Sequence, residues 1–245
     1  MLPMIVRVAL AAAARFQTGD CRCGSFVELG AYDGIENSNT YFLERCARWD
    51  GLLIEGQPKN FELLRHSGRE AQMINSAVCN AGQHIVNMTA EGGTVAGTPG
   101  LAGAAFEAKW RKARGKEVVS VPCAPLHAVF KRGGIELATF FSLDVEGSEL
   151  LMLNTTEVGR PLPFLVLLVE ASHYTAGKNA RVRTFLRNRG MVQIHMGRHR
   201  AGYENELYVM PEIKALMNTS SDLDTCIATQ NQASGPPACR VRMPT

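Results

Sequence analysis

Ser25-Phe26-Val27-Glu28-Leu29-Gly30-Ala31-Tyr32-Asp33-Gly34 is the stretch that decides the fold. Phe26 to Leu29 has the apolar run of a short buried strand with one acid in it. Gly30 and Gly34 suit a turn where backbone passes close to a ligand or takes a positive φ. A strand that empties into such a turn reads as a nucleotide site. A dinucleotide fingerprint would need Gly-x-Gly-x-x-Gly, and Tyr32 stands where its second glycine belongs, so a pyrophosphate is poorly accommodated.

Outward from this stretch the chain alternates helical and strand patterns. Asn37-Ser38-Asn39-Thr40 offers N-cap chemistry for a helix through Tyr41, Phe42, Leu43, Cys46 and Trp49. Leu52-Leu53-Ile54-Glu55 is a second apolar strand closed by an acid. Glu55 lies about 20 residues past the glycine loop, the spacing of the carboxylate that binds both ribose hydroxyls in doubly wound folds. Met73 to Val78 reads as a third strand whose exit borders the base. Ala81 to Gly115 is rich in Gly, Ala and Thr, and is expected to give a strand or two and then a mobile loop over the site or, equally, a plain surface excursion.

Val118 to Pro122 reads as a further strand, followed by a short amphipathic helix through Leu126, Val129 and Phe130. Thr139-Phe140-Phe141-Ser142-Leu143-Asp144 is a buried-strand run ending in an acid. It continues as Val145-Glu146-Gly147-Ser148-Glu149, which places Glu146 and Glu149 in the first turn of the next helix, where carboxylates offset the helix dipole. Pro163 to Val169 is another apolar strand ending in Glu170, with His173 and Tyr174 just beyond. A helix over Arg181–Arg189 and strands at Met191–His195 and Glu206–Met210 complete the pattern. Residues 1–24 form a lead-in helix or a processed segment, 25–217 one α/β domain, and 218–245 a loose tail.

Composition agrees with one globular domain: 245 residues, 46% hydrophobic, 20% charged, net charge +3. Short Arg clusters without interleaved aromatics do not form a nucleic-acid stripe. The N-terminal apolar run is broken by Arg7 and is too short for stable membrane insertion. Seven cysteines show no zinc spacing, and Cys79, in a strand-like run, is expected to be a small core residue. Cys21 with Cys23, or Cys226 with Cys239, could pair only in an oxidising compartment. Asn87-Met88-Thr89, Asn154-Thr155-Thr156 and Asn218-Thr219-Ser220 satisfy the glycosylation sequon. The cytoplasm is the default compartment, with the secretory pathway or an organelle as the alternative.

Phe26 to Gly34 with Ser38-Asn39-Thr40, Trp49 to Glu55, and Ser142-Leu143-Asp144-Val145-Glu146-Gly147-Ser148-Glu149-Leu150 together resemble the FkbM family of S-adenosylmethionine (SAM) methyltransferases. The resemblance implies a Rossmann-like class I methyltransferase fold, a mostly parallel seven-stranded sheet flanked by helices on both faces. It also implies O-methylation of a hydroxyl on a sugar, glycan or secondary metabolite. Gly56-Gln57-Pro58 departs from the family's commoner Pro-Asn-Pro.

The implied cofactor set is Glu28, Gly30, Tyr32, Asp33, Gly34, Asn39, Glu55, Ser76, Ala77 and Asp144. Within it Gly30, Asp33 and Gly34 surround the methionine part, Glu55 takes the ribose and Ala77 sits near adenine. Asp144, Glu146, Glu170 and His173 are the catalytic candidates at neighbouring strand exits. Asp144, Glu170 and His173 offer an O/N site for Mg2+ or Mn2+. A silent binding protein of the same fold, and less readily a nicotinamide oxidoreductase, stand as alternatives.

Overall fold

The computed structural model describes residues 4, 5, 8–10, 12, 13, 24–101, 104–156, 160–171, 176–195 and 205–217. Its centre is a seven-stranded sheet in the order β3-β2-β1-β7-β8-β10-β9. The strands are β1 (Ser25–Leu29), β2 (Asp50–Glu55), β3 (Gln72–Asn75), β7 (Ala138–Leu143), β8 (Phe164–Glu170), β9 (Val192–Ile194) and β10 (Asn205–Val209). The first five in sheet order run parallel, while β10 is antiparallel to both β8 and β9. The fold is therefore the Rossmann-like α/β sheet expected from the sequence.

Burial explains why these strands are nearly unbroken apolar runs. All six residues of β7 and the first six of β8 are buried, as a sheet covered on both faces requires. One core layer gathers Phe26, Leu53, Phe140 and Val166, and the other Val27, Leu52, Phe141 and Leu167. Phe141 packs edge-on against Phe130 with centroids 5.3 Å apart. Each such side chain contributes about 1.5–3 kcal/mol by leaving water. Ile5, Val8, Ala9, Leu10, Ala12 and Ala13 are helical and buried in the first layer.

The helices are α1 (Tyr41–Arg45), α2 (Pro58–Arg65), α3 (Ala104–Arg114), α4 (Leu126–Arg132), α5 (Glu149–Asn154), α6 (Ala176–Asn188) and α7 (Pro211–Met217). Chain order reverses between β1 and β7: β1 leads outward to β2 and β3, and β7 leads the other way to β8. At such a switch point the loops leave in opposite directions and open a crevice at the carboxyl ends of the strands.

Three local expectations are corrected. Met73 to Val78 is not one strand, because the chain leaves the main sheet at Ser76 and Ala77–Val78 (β4) joins a second sheet, β4-β6-β5, with β5 (Ile85–Thr89) and β6 (Val118–Ala124). Cys79 is not a free core thiol: it is bonded to Cys123 with Cα atoms 5.7 Å apart, fastening the exit of β4 to β6. Cys46 is disulfide-bonded as well. Glu146 precedes α5 instead of lying in its first turn, and only Glu149 holds the N-terminal position.

Candidate active site

The crevice at the switch point is a cleft of about 590 Å³, within the range of small-molecule and cofactor sites. Gly30 forms its floor with φ +86°, and a Cβ there would run into the carbonyl oxygen of Asp144. The exits of β1 and β7 thus approach more closely than any side chain allows. Tyr32 is left-handed too, at φ +51°, a conformation an aromatic residue rarely adopts. It aims its backbone N–H at Glu55, whose Oε2 accepts at 2.9 Å.

Glu55, at the end of β2, is buried in the cleft wall, and its Oε1 accepts from the backbone N–H of Gln57 at 2.7 Å. Burial raises its pKa to about 7, although the N–H groups of Gln57 and Tyr32 pull the other way. The Gly56 N–H and the Asn60 side chain also bond to this carboxylate, which fixes its orientation at the cleft wall.

Glu28 has a different task. Its oxygens accept from Ser38 Oγ (2.7 Å), Thr40 Oγ1 (2.6 Å) and the Asn39 N–H (2.8 Å). Behind them lies Arg69, its side chain fully buried, which donates to Glu44 Oε2 at 2.8 Å, Gly34 O at 2.6 Å and Thr40 Oγ1 at 3.0 Å. Burial raises the Glu28 pKa, while Thr40, Ser38, Asn39 and the Arg69 charge oppose the rise. Together these residues set the loop after β1 as a rigid wall, and Asn39 Nδ2 ties it across to Ser142 Oγ at 3.1 Å, two residues before Asp144. Thr40 is the N-cap of α1 by position only: its hydroxyl serves Glu28, and Ser38 Oγ accepts from the Tyr41 N–H instead.

In the same cleft as Glu55, the ligand oxygens of Asp144, Glu146 and Glu170 lie within 4.8 Å of one another. Glu146 (φ +55°) and Gly147 (φ +94°) are consecutive left-handed residues after β7. A non-glycine residue held there costs about 1–3 kcal/mol and is a mark of functional placement. Removal from water raises the pKa of both Asp144 and Glu170, and the negative charges of Asp144 and Glu146 raise Glu170 further. Glu170, the more basic of the two, consequently keeps its proton and donates it in a hydrogen bond to Asp144, a bond that works against the rise of the Asp144 pKa.

The near side of the cleft is closed by Gly93 to Thr98, from the region read as a mobile loop over the site or a plain surface excursion. Hydrogen bonds tie it to the neighbouring elements. Gln57 caps α2 by accepting the Asn60 N–H and donates Nε2 to the carbonyls of Thr89 and Ala90. Asn60 exchanges two hydrogen bonds with the backbone of Gly93, and Thr89 and Gly97 are bonded through both backbone and side chain. Here Gln57, the departure from Pro-Asn-Pro, has a use: its longer amide reaches the Thr89–Ala90 strand end.

The cleft thus gathers Glu28, Gly30, Tyr32, Asn39, Glu55, Ser76, Ala77, Asp144, Glu146 and Glu170 from the expected set. Asp33 and Gly34 do not line it. The Asp33 carboxylate turns back onto the N–H groups of Ile35 and Glu36, and Gly34 gives its carbonyl to Arg69. His173 falls outside the described residues, and among those described the third member of the carboxyl group is Glu146. Arg69 went unread because a lone arginine in a polar stretch carries no periodic or motif signal. The run of hydroxyls at Ser38 and Thr40 beside a strand acid was the available hint that a buried cation stands behind Glu28.

Among the described residues, six carboxyl side chains line the cleft (Glu28, Glu36, Glu55, Asp144, Glu146 and Glu170), and no Lys, Arg or His does. That donor set suits a sulfonium nucleoside and repels a pyrophosphate. Among solved structures, the methyltransferase FkbM from Methylobacillus flagellatus KT is similar, 15% identical with TM-score 0.43; the alignment covers 77% of this chain and 44% of that one, so this chain spans less than half its length. The delta-N METTL16 MTase domain aligns at 9% identity and TM-score 0.37, covering 86% of this chain and 83% of that one. No curated protein matches the chain. The family model for the methyltransferase FkbM domain matches residues 28–192, the span that carries β1, Glu55 and the Asp144–Glu170 carboxyls, and the chain belongs to that methyltransferase family.

Proposed function

We propose that the chain transfers a methyl group from SAM to a hydroxyl of a neutral sugar, glycan or secondary metabolite. The observation that carries this reading is the convergence of Asp144, Glu146 and Glu170 on a cleft whose described lining holds no cation. An acidic wall disfavours phosphorylated, sulfated or carboxylated acceptors and suits polyhydroxylated neutral ones, whose O–H groups donate to carboxylates.

When bound, SAM supplies a methyl group made electrophilic by its sulfonium. Glu55 would accept from the ribose hydroxyls, Ser76 and Ala77 would border adenine, and Gly30 with Tyr32 would flank the methionine part. The chain's remaining work is to align an acceptor oxygen and remove its proton. Asp144, accepting the hydrogen bond of a protonated Glu170, is the base. Glu146 holds neighbouring hydroxyls from its left-handed perch. The same three carboxyls supply oxygen ligands suited to Mg2+ or Mn2+, which would replace the proton held by Glu170 and lower the acceptor's pKa.

The test is a transfer assay with isotopically labelled SAM over a panel of neutral and anionic sugars, with and without Mg2+, Mn2+ and chelator, alongside binding of SAM and NAD. Methylation confined to neutral hydroxyl acceptors, and lost in Asp144→Asn without loss of SAM binding, is the expected result. SAM binding with no transfer to any acceptor would leave a binding module, and preference for anionic acceptors would overturn the reading of the cleft.

A further inference from the structure

The Asn87 sequon is one of the three sequons in the chain, motifs that the methyltransferase chemistry does not use. Asn87-Met88-Thr89 lies on β5, at the edge of the small sheet β4-β6-β5. Alternation along this strand sends Met88 into the cleft lining and leaves Asn87 exposed on the opposite face. The Asn87 Oδ1 accepts from Ser120 Oγ on β6 at 2.9 Å, and its amide nitrogen, the atom a glycan is attached to, meets no acceptor among the described residues. Register puts Ile85 and Val118 around it, one two residues back along β5 and the other diagonally across β6. Both are exposed, Ile85 at 64% and Val118 at 50%. An unpaired strand edge with exposed apolar side chains invites association with other chains unless something covers it.

A second, independent observation comes from the same small sheet. Cys79 and Cys123 are joined across β4 and β6, and Cys46 is bonded elsewhere. Disulfides of this buried, non-catalytic kind persist in oxidising compartments, where asparagine glycosylation also takes place. We infer that the protein passes through the secretory pathway and carries an N-linked glycan on Asn87, which covers the free edge of β5 and the Ile85–Val118 apolar patch while leaving the cleft on the other face open.

The inference is independent of the methyl acceptor. Its test uses the full chain immunopurified from its own cells, with thiols alkylated at lysis, and mapped by mass spectrometry under non-reducing conditions before and after peptide N-glycosidase. The expected result is a glycosidase-sensitive Asn87 peptide together with a linked Cys79–Cys123 peptide. Asn87→Gln, expressed in the same cells, should lose one glycan's worth of mass and gain a tendency to self-associate in sedimentation. Recovery of the Asn87 peptide bare, or of Cys79 and Cys123 as alkylated free thiols, overturns the proposal.

Discussion

Glu55 gives the sharpest prediction because its ionisation lies in an accessible pH range. Its pKa in the free cleft is raised to about 7, chiefly by burial, against the N–H groups of Gln57, Tyr32 and Gly56 and the Asn60 side chain. Only the ionised carboxylate can accept from both ribose hydroxyls, so affinity follows the ionised fraction. With a pKa near 7 that fraction is roughly nine-tenths at pH 8, one half at pH 7 and one-tenth at pH 6. Affinity for SAM should therefore fall about tenfold from pH 8 to pH 6, equivalent to about 1.4 kcal/mol. Titration calorimetry at the three pH values, with adenosine run beside SAM, separates the ribose contribution from groups that meet only the methionine part. Glu55→Gln should bind more weakly at pH 8, by about 1.5–3 kcal/mol, and its profile should be flat across this window. A wild-type affinity independent of pH, or an equal slope in Glu55→Gln, refutes the assignment of Glu55 to the ribose.

The other predictions concern stability and its separation from turnover. Glu149 is buried at the start of α5 with its pKa raised to about 7, above the ordinary glutamate value of 4.5. Its contribution to stability is full below pH 4.5 and is lost as pH rises through 7. Glu149→Gln should therefore gain up to about 3 kcal/mol on wild type between pH 5 and pH 8 in urea melts, and an unchanged difference would contradict it. Arg69→Met strands Glu28 and Glu44 in the interior and should cost about 3–5 kcal/mol by denaturant melt; a cost below about 1 kcal/mol would show the network to be ornamental. Glu146→Gly relieves a left-handed non-glycine residue, so stability should hold or rise by about 1–3 kcal/mol, while methyl transfer falls; joint loss of both would mean the residue is merely structural. Cys123→Ala opens a loop spanning 44 residues, and the chain-entropy relation sets the loss at about 4 kcal/mol, checked by melts of oxidised wild type against the variant.

The fold was legible because it rests on periodicity and on acids at strand exits, both of which survive in one dimension. Phe26 to Leu29, Leu52 to Glu55, Thr139 to Leu143 and Pro163 to Val169 are apolar runs that only a doubly covered parallel sheet can bury, and the structure has them adjacent. The cleft acids Glu55, Asp144 and Glu170 followed from the same rule, since each closes one of these strands. What the sequence did not disclose depends on direction. Asp33 and Gly34 sit in the motif yet face away from the cleft, because Asp33 closes its own turn and Gly34 meets Arg69. The break at Ser76 was hidden because Met73 to Val78 is apolar enough for one strand, and leaving the main sheet is a matter of what β4 pairs with. The Cys79–Cys123 bond was hidden for the same reason, since its partners are brought together by β4 and β6 pairing across a long stretch of chain.

These two groups of residues divide the labour of the site. The wall after β1 is assembled from a buried cation and hydroxyls, so Glu28 is satisfied by protein groups from three sides and has little left to offer a ligand. The exits of β2, β7 and β8 are arranged the opposite way: Glu55 lines the cleft directly, and the ligand oxygens of Asp144, Glu146 and Glu170 lie within 4.8 Å of one another. Crowded carboxyls raise one another's pKa values and lose stability as pH rises, a cost that a purely structural cleft has no reason to carry. A cationic ligand or a divalent ion relieves that repulsion on binding. It follows that ligand binding should stabilise this protein most at high pH, where the repulsion is greatest. A thermal shift by SAM that grew on acidification instead would place the favourable charge elsewhere than on these carboxyls.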